Sequence, residues 1–68
     1  MILADKIIEE RKRNGWSQEE LADQLGVSRQ AVSKWEKGQS DPSTTNLIAL
    51  AKIFDITPEE MLKEITAE

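Results

Sequence analysis

The chain has no cysteine, no histidine and no tyrosine among its 68 residues. Without cysteine, the chain cannot form a disulfide, and without cysteine and histidine it lacks the usual ligands of structural zinc. Without these three residue types it also lacks the commonest catalytic nucleophiles and acid–base groups. We therefore expect that the protein is not an enzyme, acts on no small-molecule substrate, and binds no metal or other cofactor.

Long apolar runs are also missing from the sequence. No stretch approaches the roughly 20 apolar residues of a membrane span, and residues 1–4 are too short for a signal peptide. Of the 68 residues, 38% are hydrophobic, which suffices for one small domain with a thin core. We expect a single domain over residues 1–68 in a soluble, cytoplasmic protein with no membrane partner.

Basic residues are fewer than acidic residues. Nine Lys and Arg against thirteen Asp and Glu give a net charge of -4, whereas a protein that binds nucleic acid is usually basic. The distribution weakens this objection, because residues 1–37 hold seven basic and seven acidic residues, and residues 38–68 hold two and six. Charges are screened over roughly 8 to 10 Å at ordinary salt, so a local basic face can still attract DNA.

A short helix with clear start and stop signals is predicted in the middle of the first half. Ser17 can cap this helix through its hydroxyl, while Glu20 reaches back to the Ser17 amide. Trp16 and Leu21 occupy the positions of a hydrophobic staple. The helix should end at Gly26, which adopts the left-handed conformation without a steric cost.

A second short helix should follow directly, with Ser28 as its cap. Its apolar residues recur at spacings of three and four, as on a face that packs into a core: Ala31, Val32 and Trp35. Trp35 is therefore predicted to be a core residue and not a base-stacking one. The polar side chains point the other way: Arg29, Gln30, Ser33, Lys34 and Lys37.

The spacing across the two helices is typical of a helix-turn-helix. Counted from Gln18, Ala22 is fifth, Gly26 ninth and Val32 fifteenth, where closely crossing helices need a small residue, a turn glycine and a core residue. The segments SQEELA and LGVSRQAVSKWEKG resemble the helix-turn-helix of the phage repressor and Cro family, often called Xre-type.

The similarity runs from about Leu3 to Leu62. It implies an all-α, five-helix lambda-repressor-like DNA-binding domain, with the helix-turn-helix at about residues 17–37 and the third helix in the major groove of double-stranded DNA. The five helices are expected at residues 2–13, 18–25, 29–37, 44–54 and 58–65, with bounds accurate to about two residues.

Residue types and the resemblance together indicate which side chains meet DNA. The candidates for base contacts are Arg29, Gln30, Ser33 and Lys34. Arginine can bond both acceptors of guanine and glutamine both edge groups of adenine; the alternative is an ordinary solvated helix face. The candidates for phosphate contacts are Ser17, Gln18, Lys37, Gln39, Ser40 and Thr44. Asp41 departs from the family pattern. A carboxylate there repels phosphate, so we expect the phosphate contacts of this region to come from Lys37 and from Thr44 or Thr45.

An ion pair is predicted between the first and the third helix. Leu3, Ile7 and Arg11 recur every four residues on the inward face of the first helix, so the Arg11 guanidinium needs an acceptor near the core. Glu36, at the end of the third helix, is the expected partner. The alternative is that Arg11 is a solvated cation favoured by the helix dipole.

The remaining helix signals lie in the second half of the chain. Ser43 should cap the fourth helix and Asp55 should end it. Thr57, Pro58 and Glu60 have the spacing of a cap, a first-turn proline and a capping-box acid for the fifth helix.

The predicted function is sequence-specific DNA binding by a transcriptional regulator. The family resemblance implies that this regulator is a repressor. One reading helix addresses few base pairs, so we expect a homodimer on a near-palindromic operator. Its contact surface is expected at the corner between helices four and five, with Ile56, Met61, Leu62 or Ile65. The alternative is an antitoxin, or the N-terminal DNA-binding or interaction module of a longer regulator.

Overall fold

The computed structural model describes residues 3–57 and 59–61. Four complete helices lie within them: α1 (Leu3–Arg13), α2 (Gln18–Leu25), α3 (Arg29–Glu36) and α4 (Thr44–Ile53). Residues 59–61 are helical and begin a fifth helix, α5. The described residues contain no strand, and the predicted all-α, five-helix class is confirmed.

The predicted helix bounds agree with the observed ones to within one residue where they can be compared. Lys37 and Phe54, predicted as the last residues of the third and fourth helices, are their caps instead. Predicted helical residues 2, 58 and 62–65 lie outside the described part of the chain. None of the helices described is both long enough and apolar enough to cross a membrane.

The helices begin at the caps that the sequence indicates. The hydroxyls of Ser17, Ser28 and Ser43 each accept a hydrogen bond from the amide three residues later, at 3.0 to 3.2 Å. Glu20 completes the capping box by accepting the Ser17 amide proton at 2.8 Å. Thr57 accepts in the same way at the start of α5. These contacts satisfy amides that lack partners within a helix.

The four complete helices all end in the same motif. A residue with positive φ comes just after each helix: Gly15, Gly26 and Gly38 at 73° and Asp55 at 60°. The next residue in each case donates its amide to the carbonyl five residues earlier, at 2.9 to 3.1 Å: Trp16, Val27, Gln39 and Ile56. This is the Schellman motif, which satisfies the last carbonyls of a helix and reverses the chain.

The core is built from one face of each helix. Its buried apolar residues are Leu3, Ile7, Leu21, Ala22, Val32, Trp35, Leu50, Ala51, Phe54 and Met61. Trp35 is 5% exposed, which confirms its predicted core role. Trp16 packs against the core from the side, its ring stacked on that of Phe54 with centroids 6.1 Å apart. The apolar faces of α2 and α3 therefore point inward together.

Two side chains are more deeply buried than the sequence suggests. Met61 is 0% exposed, so its predicted place on a dimer surface is wrong: the Schellman turn at Asp55 directs the first turn of α5 back onto the core. Glu10 is 1% exposed and pairs with Lys6 at 3.5 Å and Arg13 at 3.3 Å. Glu10 continues the Ile7 face by three residues, a position at which sequence reasoning expects an apolar side chain.

The positive φ of Asp55 generates a prediction about stability. Replacing Asp55 with glycine should raise the free energy of unfolding by up to about 1 kcal/mol, because the left-handed conformation costs residues with a Cβ atom. Lys52→Gly is the matched control, because the same change in the exposed last turn of α4 should lower stability by about 1 kcal/mol. Chemical denaturation measures both, and two shifts of the same sign would contradict the prediction.

Candidate nucleic-acid interface

The exposed side of α3 carries the side chains predicted to contact bases. Arg29, Gln30 and Lys34 are exposed and Ser33 is half-buried, while Val32 on the opposite side is fully buried. At 3.6 residues per turn, these positions fall on neighbouring rows along one face of the helix. The structure therefore brings all four predicted base-contacting residues together on one side of α3.

An open depression runs along this side of α3. Its lining residues are Arg29, Gln30, Ser33, Lys34, Lys37 and Gln39. Three of these six side chains are cationic and none is acidic, so the depression is locally basic although the chain carries a net charge of -4. A basic concave surface concentrates field lines and attracts anions.

The other predicted phosphate-contacting residues lie outside this depression. Ser17 caps α2 and Gln18 is its first residue, while Ser40 lies after α3 and Thr44 begins α4. Ser17, Ser40 and Thr44 are exposed, whereas Gln18 is half-buried. Asp41 is exposed in the same connection as Ser40, so the acidic departure from the family pattern faces solvent.

Glu36 joins α3 to α1 through a two-pronged ion pair. The Arg11 Nε donates to Glu36 Oε2 at 2.6 Å and the Arg11 Nη2 donates to Oε1 at 3.1 Å. The two side chains are 14% and 5% exposed. Arg11 Nη1 also donates to the carbonyl of Trp16 at 2.9 Å. The structure thus contains the pair that the four-residue stripe of the first helix predicts.

Gln18 is a third member of this network, which sequence reasoning missed. Its Nε2 donates to Glu36 Oε1 at 3.0 Å, so the first residue of α2 is tied to the last residue of α3. The contact spans 18 positions of the sequence, and only the crossing of the two helices brings its atoms together. The start of α2 is therefore held against the end of α3, where Lys37 and Gln39 line the basic depression.

The described residues hold no group of three His, Cys, Asp or Glu side chains that could ligate a metal ion. What the arrangement offers chemically is recognition: cations and amides on the exposed side of α3, with the amide at the start of α2 that lacks a helical partner, that of Gln18, on the neighbouring helix.

The helices α2 and α3 are short, are joined by a turn at Gly26, and carry an exposed polar row on α3. These features define the helix-turn-helix class. The chain belongs to the helix-turn-helix family, whose model matches residues 7–61.

Curated relatives share much of this chain. It is 41% identical over 58 residues to the transcriptional activator BcrR of Enterococcus faecalis, covering 85% of this chain and 28% of BcrR. It is 34% identical over 62 residues to repressor protein C2 of Salmonella phage P22, covering 91% of this chain and 29% of C2. The chain thus spans less than a third of the length of either relative.

Solved structures share the fold over most or all of the chain. The P22 c2 repressor bound to a synthetic operator superposes with a TM-score of 0.85 at 28% identity, covering 100% of this chain and 98% of that chain. A chain of the SinR–SinI complex superposes with a TM-score of 0.84 at 28% identity, covering 93% of this chain and 62% of that chain.

The Arg11–Glu36 pair generates a stability prediction. Glu36→Ala should lower the free energy of unfolding by about 3 kcal/mol, the low end for breaking a buried pair, because it leaves the Arg11 charge without its partner. Lys12→Ala is the matched control. Lys12 is an exposed cation in the last turn of α1 and lies outside the ion pairs of Glu10 and Glu36, so its loss should cost less than about 1 kcal/mol. A melting temperature of Glu36→Ala equal to that of the unsubstituted protein would contradict the prediction.

Proposed function

We propose that this protein is a sequence-specific DNA-binding transcriptional regulator that inserts α3 into the major groove and represses transcription by occupying an operator. The observation that carries the proposal is the depression along α3, lined by three cations, three polar side chains and no acid. Such a surface has both the charge to attract phosphate and the amide and guanidinium groups that distinguish base pairs. The proposed function implies a cytoplasmic location.

Base recognition is assigned to four side chains on two turns of α3. Arg29 can bond both guanine acceptors and Gln30 both adenine edge groups. Ser33 and Lys34 lie one turn later, roughly 6 Å along the helix axis. At this distance, Ser33 and Lys34 can reach base pairs about two steps further along the groove.

Backbone contacts are assigned to the start of α2 and to the region after α3. At the start of α2 the Ser17 amide is already bonded to Glu20, so Ser17 offers its hydroxyl proton. The Gln18 amide lacks a helical partner, and the positive end of the helix dipole favours a phosphate there. Gln18 gives one Nε2 hydrogen to Glu36, which leaves the second for DNA. Lys37, Ser40 and Thr44 are exposed and supply one cation and two hydroxyls.

The relatives support this function to different degrees. The P22 c2 structure is a repressor in complex with an operator and matches the full chain, which supports operator binding and repression. BcrR is named an activator, so the relatives agree on regulation and differ on its direction.

A second candidate is that the chain acts as the N-terminal module of a longer regulator or as an antitoxin. The low coverage of BcrR and C2 favours a module, and the SinR–SinI structure is a protein–protein complex of this fold. Titration with random and operator-like DNA separates a module that binds only protein from a DNA-binding one, because an interaction module without a DNA function has no sequence preference at any salt concentration.

We also propose that two copies bind one operator. A single reading helix specifies few base pairs, and half-sites one helical turn apart double the specified sequence. Ile56 is half-buried and stays a candidate for the contact between copies, whereas Met61 is buried within the chain's own core. Leu62 and Ile65, the other candidates, lie outside the described residues.

Dimeric binding predicts a stoichiometry. Sedimentation of the protein with its selected site should show two chains per duplex, and that site should be a near-palindrome with half-sites roughly 34 Å apart. The same duplex with one half-site scrambled is the control and should bind more weakly. One chain per duplex at saturation would exclude the dimer.

The assignment of base and phosphate contacts predicts two kinds of variant. Arg29→Ala or Gln30→Ala should weaken binding to the preferred site by about 1 to 3 kcal/mol and relax the choice of base at one position, with binding to random DNA nearly unchanged. Gln18→Ala and Lys37→Ala should weaken binding to all sequences about equally. Lys37→Ala should also reduce the slope of log affinity against log salt by about one unit, because one phosphate contact is lost.

Folding defects can be separated from recognition defects in these variants. Arg29 is the first residue of α3, where the helix dipole disfavours a cation, so Arg29→Ala should not lower the melting temperature. If Arg29→Ala and Gln30→Ala both keep the affinity and base preference of the unsubstituted protein, α3 is not the reading helix.

A further inference from the structure

One of the four Schellman motifs differs from the others in the residue that follows the positive-φ position. After α1, α2 and α4 this residue is Trp16, Val27 or Ile56, each half-buried and packed against the hydrophobic core. An apolar contact at this position commonly accompanies the motif, because the residue folds back over the last turn of the helix. After α3 the same position holds Gln39, which is polar and exposed.

The backbone at Gln39 nevertheless makes the same hydrogen bonds as at the other three positions. Gly38 has a φ of 73° and donates its amide to the carbonyl of Trp35 at 3.1 Å. Gln39 donates its amide to the carbonyl of Lys34 at 2.9 Å. The motif therefore fixes where the Gln39 side chain starts, relative to the last turn of α3.

Gln39 belongs to the surface that carries the predicted base-contacting residues. It lines the same depression as the four residues assigned to bases, whereas its neighbour Ser40 does not line it. The motif that sends an apolar side chain onto the core at the other helix ends thus presents an amide to the basic face of α3.

We propose that Gln39 is a further specificity-determining residue that contacts a base, and that it recognises adenine. The inference rests on the proposed function and reassigns a residue that the family resemblance gives to phosphate. A phosphate can only accept hydrogen bonds, so it leaves the Gln39 amide oxygen unused. Adenine offers an acceptor at N7 and a donor at N6, which match the amide nitrogen and oxygen together. The adenine lies beyond the base pair that Lys34 contacts, at the C-terminal end of α3.

The test compares DNA preferences of the unsubstituted protein and Gln39→Ala. Sites are selected from a random pool with each protein, and affinities are then measured on the preferred duplex, its single-base-pair variants and a random duplex. Gln39→Ala should bind the preferred duplex roughly 5- to 150-fold more weakly, the range for one bidentate base contact. Its preference for adenine should vanish at one base pair, and its binding to random DNA should not change.

A base analogue identifies the contacted atom. Replacing the adenine in question with 7-deazaadenine removes the N7 acceptor, so it should weaken binding of the unsubstituted protein. The replacement should cause no further loss in Gln39→Ala. Ser40→Ala is the matched control, because Ser40 is the adjacent exposed residue outside the depression and is assigned to the DNA backbone. This variant should weaken binding to all sequences about equally and keep every base preference. The melting temperature of Gln39→Ala should equal that of the unsubstituted protein.

Two results would overturn the inference. Equal weakening of Gln39→Ala on all sequences would mean that Gln39 contacts only the DNA backbone, and unchanged affinity on all sequences would mean that it contacts no DNA. Arg29→Ala, measured in parallel, separates this inference from the proposed function. If Arg29→Ala loses a base preference and Gln39→Ala does not, only the role of Gln39 is wrong, whereas failure of both contradicts reading by α3.

Discussion

The position of α3 depends on one carboxylate. Glu36 accepts two hydrogen bonds from Arg11 and one from Gln18, so the last residue of α3 is joined to α1 and to the first residue of α2. The side chain of Glu36 is only 5% exposed, and charged hydrogen bonds shielded from water are stronger than exposed ones. The other anchor of α3 is apolar, since Val32 and Trp35 are buried in the core.

These two anchors explain how a thin core can support a precise surface. The chain has no disulfide, and 68 residues bury little apolar area. A reading helix must nevertheless hold its side chains within a fraction of an ångström of a base edge. The polar network fixes the end of α3 and the buried side chains fix its rotation, so the exposed row that begins at Arg29 is held at a constant angle to the start of α2.

The fold was largely predictable from the sequence because its signals are local. Serine caps, capping-box acids and residues with positive φ act through hydrogen bonds that span three to five residues, and a helical stripe such as Leu3, Ile7 and Arg11 needs only a spacing of four. The stripe even indicated the Arg11–Glu36 pair. Such signals place helix starts, helix ends and inward faces.

Contacts that depend on how helices cross were not predictable. The Gln18–Glu36 bond joins residues from two helices, and no local pattern marks it. Glu10 was missed because a charged residue is normally expected at the surface. Met61 was assigned to the surface because no sequence pattern shows that the turn before α5 directs this side chain inward. The shared depression that joins Gln39 and Arg29 likewise depends on the three-dimensional path of the chain after Gly38, which the sequence does not show.

Selection of bound sites from a random DNA pool tests most directly the central claim that this protein recognises a specific DNA sequence. The predicted result is enrichment of a near-palindrome with half-site centres roughly 34 Å apart. The absence of any enriched sequence at any salt concentration would contradict the claim.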